Sequence, residues 1–160
     1  MRRAGLLLLL LLLGAASELA FGQGAARATG QRLYLPIYSH IWHGDLDARG
    51  EPTRTLVSVS VSIRNTDPDQ SIRVTSAQYY DTAGRRLKDY VPSPRTIPPM
   101  GTHEIFIPRS DDLGGSGANF VIVWTSDVPV SPPIVEGVHA NLPAGRAIVF
   151  TTTARPIPPP

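Results

Sequence analysis

Two histidines stand three apart in Ser39-His40-Ile41-Trp42-His43-Gly44-Asp45. Imidazole with carboxylate is a usable metal set, so His40, His43 and Asp45 are the first chemical candidates, with Ser39 beside them. On a strand, residues three apart face opposite sides, so both imidazoles reach one ion only if the chain turns at Trp42, a turn that Gly44 permits. Further ligands would have to come from His103, His139 or Glu136. The plainer alternative has one histidine bonded to backbone at a strand end while Trp42 packs. No cofactor is expected apart from a metal at this pair.

Oxygen chemistry is concentrated in Asn65-Thr66-Asp67-Pro68-Asp69-Gln70-Ser71. Asn65, Asp67 and Asp69 have the spacing of the first three calcium ligands of an EF-hand. Gln70 stands where that loop needs glycine and Ser76 where it needs glutamate, and strand patterns flank the segment where helices are required. The EF-hand is excluded. A turn built by Asn and Asp beside proline explains the residues, with a looser calcium site at Asn65 and Asp67 as the sharper alternative.

Acid–base catalysis finds little to work with. Glu51, Glu104 and Glu136 are the glutamates beyond the first 22 residues, and their spacing defines no pair for glycoside-type chemistry. Glu136 lies among apolar residues in Pro133-Ile134-Val135-Glu136-Gly137-Val138, where it either faces solvent or is a buried acid. Asp111 opens the segment Asp111-Asp112-Leu113-Gly114-Gly115-Ser116-Gly117-Ala118-Asn119. A nucleophile elbow around Ser116 fails because Ala118 replaces the closing glycine and a strand follows. A phosphate loop fails because Ala118 stands where lysine is needed. What remains is an 11-residue connection, Pro108 to Ala118, longer than a hairpin requires. Either it crosses between sheets, with Asn119 anchoring the turn, or its backbone N–H groups form a nest for an anion or a peptide carboxylate near Asp111, Ser116 and Asn119.

The elements that must carry these residues are strands. Val57, Val59, Val61 and Ile63 alternate with Ser58, Ser60, Ser62 and Arg64, the period-two signature of a strand with one face on a core. Seven further segments read the same way: 32–38, 71–81, 85–91, 102–107, 119–127, 133–141 and 146–154. Gly84 and the Leu142-Pro143-Ala144-Gly145 segment supply hairpin turns, and Pro92, Pro94, Pro98 and Pro99 restrict that region to an edge or a crossing loop. The expected fold is all-β, an immunoglobulin-like β-sandwich of about 7–8 mostly antiparallel strands. The expected organisation is a secretory leader at 1–22, a flexible segment at 23–32, one domain at 33–154 and a frayed proline-rich tail at 155–160.

The leader reading rests on Arg2 and Arg3, the run Leu6 to Leu13 and the small-x-small site Ala20-Phe21-Gly22. An apolar stretch of about 11 residues is too short for a bilayer, which takes ~20, so no transmembrane segment is expected after cleavage. The chain has no cysteine, which removes disulfides, thiol chemistry and a lipid-anchored N-terminal cysteine. Its formal charge of +2 carries no concentrated basic face, so nucleic acid is not an expected partner.

In order along the chain, "LPIYSHIWHGD", "SIRNTDP", "YYDTAGR", "GGSGANFVIVW" and "PPIVEGV" resemble a bacterial exported family catalogued as domain of unknown function 3124. The resemblance covers Tyr34 to about Phe150 and implies a small secreted or membrane-anchored domain, with no activity attached. Many members resemble lipoproteins. The missing cysteine departs from that pattern and points to a soluble periplasmic or secreted form.

Three functions follow in order of preference. The first is a non-enzymatic binding module of the bacterial envelope, with a protein or small-molecule partner. The second is a periplasmic metal-binding protein using His40 and His43. The third is an envelope hydrolase with Glu136 or Asp111 as acid or base.

Overall fold

The computed structural model describes residues 26–158; the leader expected at 1–22 lies outside them. The described chain is all-β. Its strands are β1 (Ala28–Pro36), β2 (His40–His43), β3 (Thr53–Leu56), β4 (Ser58–Arg64), β5 (Ile72–Tyr80), β6 (Arg86–Asp89), β7 (Arg95–Ile97), β8 (Thr102–Ile107), β9 (Asn119–Val130), β10 (Ile134–Asn141), β11 (Ile148–Thr153) and β12 (Arg155–Ile157). No helix among the described residues is long and apolar enough to cross a membrane.

Six strands form one antiparallel sheet in the order β12-β1-β9-β5-β6, with β7 also on β5. Four form the second, β11-β10-β4-β8, and β2 and β3 make a separate hairpin. The two larger sheets close on a common core, as a sandwich does. Alternation decides which side chains enter it: Leu33 and Leu35 from β1, Phe120, Ile122 and Trp124 from β9, Val59, Val61 and Ile63 from β4. In β5 the inward set changes parity, from Ile72 and Val74 to Ala77 and Tyr79. A bulge between Val74 and Ser76 makes that change possible, because its extra residue returns the pattern to the core.

Eight strands were legible as segments, and four short ones were not. The serine–valine alternation reads as one strand, yet Thr53–Leu56 pairs with His40–His43 while Ser58–Arg64 enters the second sheet. The chain changes partners at Val57, whose N–H donates to the Ser39 carbonyl at 3.0 Å. β7 lies in the proline-rich region and, as expected there, pairs only along one edge of β5.

Both ends depart from expectation. Residues 28–32, within the segment expected to be flexible, are hydrogen-bonded strand against β9. The tail expected to fray supplies β12, in register Arg155 with Tyr34, Pro156 with Leu33 and Ile157 with Arg32. Pro156 is tolerated because β12 is an edge strand, where a missing N–H breaks no central ladder.

Candidate functional site

The 11-residue connection is a crossover from β8 in one sheet to β9 in the other. Its glycines are explained by close packing. Gly114 lies against the Tyr79 hydroxyl, and any Cβ there would collide with the phenol ring and with Ala118. Gly115 has φ 80°, in the left-handed region. The Gly115 N–H donates to the Asp112 carbonyl and the Gly117 N–H to Thr82 Oγ1 at 2.9 Å. Two of the amides on which an anion nest could draw are thus committed internally.

Beneath this crossover the fold brings Ser39 and Asp111 to Tyr79, with His40 following Ser39 at the start of the hairpin. Ser39 Oγ and Tyr79 Oη are hydrogen-bonded at 3.1 Å, both buried. Burial raises the Tyr79 pKa, opposed by the Ser39 bond and reinforced by the Asp111 charge. Tyr90 is raised by burial first and by Asp111 second. Asp111 Oδ1 is buried with no hydrogen-bond partner. His40 is buried edge-on to Trp42, with neither ring nitrogen bonded, and its pKa is lowered by burial and then by Arg54. Arg54 ties the hairpin to the crossover through Asp112 at 2.8 Å. Gly114 packs down on this cluster, so it holds the end of the sandwich together.

The remaining sequence candidates separate. The chain does not turn at Trp42: His40 to His43 is one ladder, with His40 opposite Leu56 and His43 opposite Thr53. His43 Nε2 instead contacts Thr55 Oγ1 at 2.8 Å, on the face away from His40. Among the described residues no group of three or more His, Cys, Asp or Glu side chains is placed to hold a metal. Asn65 and Asp67 are buried as a turn: Asn65 Nδ2 donates to the carbonyls of Gln70, Ile97 and Pro98. Asp67 accepts the N–H groups of Asp69, Gln70 and Ser131 and the Arg27 guanidinium. Its pKa is lowered, the Ser131 N–H being the largest cause. Those oxygens are already occupied by the protein. Glu136 lies opposite Ser62 and Thr153 on the outward face of the second sheet, so it does not join Asp111 under the crossover. Ser116 sits in the crossover, and Asn119 begins β9 between Pro36 and Tyr80.

A surface that sequence reasoning missed lies on the outward face of the six-stranded sheet. There a groove of about 650 Å³ is lined chiefly by Arg32, Ser76, Gln78, Val121, Val123 and Ile157. Register builds it as two cross-strand rows. Ile157, Arg32, Val123 and Ser76 form one; Arg155, Tyr34, Val121 and Gln78 form the next. Cross-strand neighbours stand ~5 Å apart, so each row is a continuous strip of side chains. Tyr80 donates its hydroxyl to Gln78 Oε1 at 2.7 Å, fixing one wall. Gly30 closes one end, where a Cβ would stand 2.8 Å from the Trp124 carbonyl oxygen. Within this groove Arg32 Nε is buried without a hydrogen-bond partner. The signal available in sequence was outward-facing Val121 and Val123 on a strand whose other face was already the core. Arg32 stands where the expected flexible segment meets the first strand, and only register sets it between Ile157 and Val123.

The model of the family described as "Protein of unknown function (DUF3124)" matches residues 30–157. The chain belongs to this family. The match extends beyond the Tyr34 to Phe150 span expected from the motifs, and it takes in Gly30 and Ile157, two residues that line the groove. No curated protein matches the chain. Among solved structures, the crystal structure of Thermotoga maritima 1070 is similar at 14% identity and a TM-score of 0.42, covering 78% of this chain and 92% of that chain.

Proposed function

We propose that this chain is a non-enzymatic binding module of the bacterial cell envelope, exported by a cleaved leader and engaging its ligand in the groove on the six-stranded sheet. The observation that carries the binding role is the groove itself: about 650 Å³, with an aliphatic floor at Val121 and Val123 and a few polar groups at its walls. Volumes of ~300–1,000 Å³ with mostly apolar lining and few placed polar groups are typical of small-molecule sites. The two candidate acids, Asp111 and Glu136, lie in different parts of the molecule, which favours binding over acid–base chemistry. Export is supported by Arg2, Arg3, the leucine run and the small-x-small site Ala20-Phe21-Gly22.

The test is native mass spectrometry of the full chain recovered from the exported fraction, beside a Ser76→Trp variant that fills the groove. A bound small molecule on the wild type, lost from the folded variant, is the expected result. Equal loading of the two proteins, or no loading of either, overturns the groove as the binding surface. The same spectra report the leader: a mature mass beginning at Gln23 supports export with cleavage, and an intact N-terminus refutes it.

A further inference from the structure

We infer that the groove takes an acyl-chain monocarboxylate, its carboxylate on Arg32 and its aliphatic body along Val121, Val123 and Ile157. This inference rests on the groove being the binding surface.

The charge argument starts from Arg32. A guanidinium carries five N–H donors and no acceptor, so it seeks anionic or carbonyl oxygens. Arg32 has no ion-pair or hydrogen-bond partner among the described residues, and its Nε is shut off from water. A shielded N–H on a charged group is costly to leave unbonded, and the fold itself supplies no acceptor. The neighbouring row adds Arg155, also without an acid partner among the described residues. Two carboxylates on strands of this sheet have other partners. Asp127 lies 3.9 Å from Arg73, and Asp89 Oδ1 accepts the N–H groups of Ala77 and Val91. The groove is therefore cationic at Arg32 with nothing of its own to neutralise it. A planar carboxylate matches the guanidinium fork with two parallel hydrogen bonds.

The shape argument selects the rest of the ligand. Beside Arg32 in its row stand Ile157 on one side and Val123 on the other, and Val121 continues the floor. These are aliphatic surfaces. Trp124, which also lines the groove, has its side chain buried in the core, and Tyr34 and Tyr80 border the aliphatic strip rather than form its floor. Four strands at ~4.8 Å spacing make the groove roughly 14 Å across, elongated along the row that contains Arg32. One cationic point on an aliphatic strip fits one carboxylate on an aliphatic chain. A polyanion would need several clustered cations.

The experiment titrates full-length mature protein with decanoate and with decan-1-ol at pH 7, below micelle formation, following methyl NMR shifts and calorimetry. Decanoate is expected to saturate with shifts at Val121, Val123 and Ile157, and decan-1-ol to bind about tenfold or more weakly, the loss of one charged contact. Arg32→Gln should weaken decanoate by a similar factor while leaving decan-1-ol unchanged. Arg32→Lys should recover part of the loss, which guards against a folding artefact. Arg155→Gln should matter less than Arg32→Gln. Equal binding of decanoate and decan-1-ol, or no effect of Arg32→Gln, overturns the carboxylate assignment and leaves the groove standing. Absence of decanoate binding overturns the ligand class, and Ser76→Trp then separates the two claims. If Ser76→Trp still strips the ligand from exported protein, the groove survives; if it does not, both fall.

Discussion

The hydroxyls of Ser39 and Tyr79 are hydrogen-bonded at 3.1 Å inside the sandwich, and Gly114 of the crossover is pressed against that same phenol. The contact explains why a long connection between sheets carries glycine at that point.

Gly114→Ala should therefore destabilise the domain by ~1–3 kcal/mol, the cost of overpacking a filled interior. Adding Tyr79→Phe to that variant should return part of the loss, since the hydroxyl is the nearest atom a Cβ would meet. Urea unfolding of the two single variants and the double variant tests this as a cycle. Simple additivity would mean that the two residues do not press on one another.

Acid should weaken the fold in two stages. His139 is fully buried, stacked on Phe150, with its Nε2 accepting the Tyr38 N–H. Burial lowers its pKa to about 4 from 6.5, opposed by the carbonyls of Gly137 and Phe150. Between those values the unfolded chain binds a proton that the native chain refuses, so stability is complete above pH 6.5 and declines as pH falls toward 4. At ~1.4 kcal/mol per unit the loss is on the order of 3 kcal/mol. His139→Phe should flatten this limb of a stability–pH profile; an unchanged limb would remove His139 as its source.

Asp67 governs the lower stage. Its folded pKa lies below 3.8, so its contribution is present above that value and is lost as pH falls further. Asp67→Asn should lower the Tm at neutral pH and shrink the difference from wild type below pH 4. A constant difference down to pH 2 would show that the carboxylate charge is irrelevant to the turn.

Zinc or copper should leave the Tm unshifted through the histidine pair, because His40 and His43 stand on opposite faces of one hairpin. Thermal melts of untagged protein with each metal, and with His43→Ala, check this. A metal-dependent rise abolished by His43→Ala would overturn the reading.

Ending the chain after Ala154 should lower the Tm by a few degrees, since Arg155–Ile157 is hydrogen-bonded to β1 with Ile157 opposite Arg32. Net hydrogen bonds of ~1 kcal/mol each set the scale. A melt indistinguishable from wild type would return the tail to a frayed end.

The inward faces were legible because burial imposes period two directly on sequence, as Val59, Val61 and Ile63 show. Partners were less legible. Thr53–Leu56 runs straight into the alternation that starts at Val57, and the two stretches part into different sheets at Val57, whose N–H bonds the Ser39 carbonyl. Ser39 and Asp111 both lie against Tyr79, a core position on a strand that no spacing rule connects to them.

The amino-acid sequence alone determined the all-β class, the turns at Gly84 and Gly145 and the absence of thiol chemistry, because each depends on residue type or on local period. Tertiary structure decided everything that depends on register. It divided His40 from His43, occupied the oxygens of Asp67, turned the tail into a strand and set Arg32 between Ile157 and Val123. Register is a relation between segments far apart in the chain, fixed only when both faces of a sheet are packed at once.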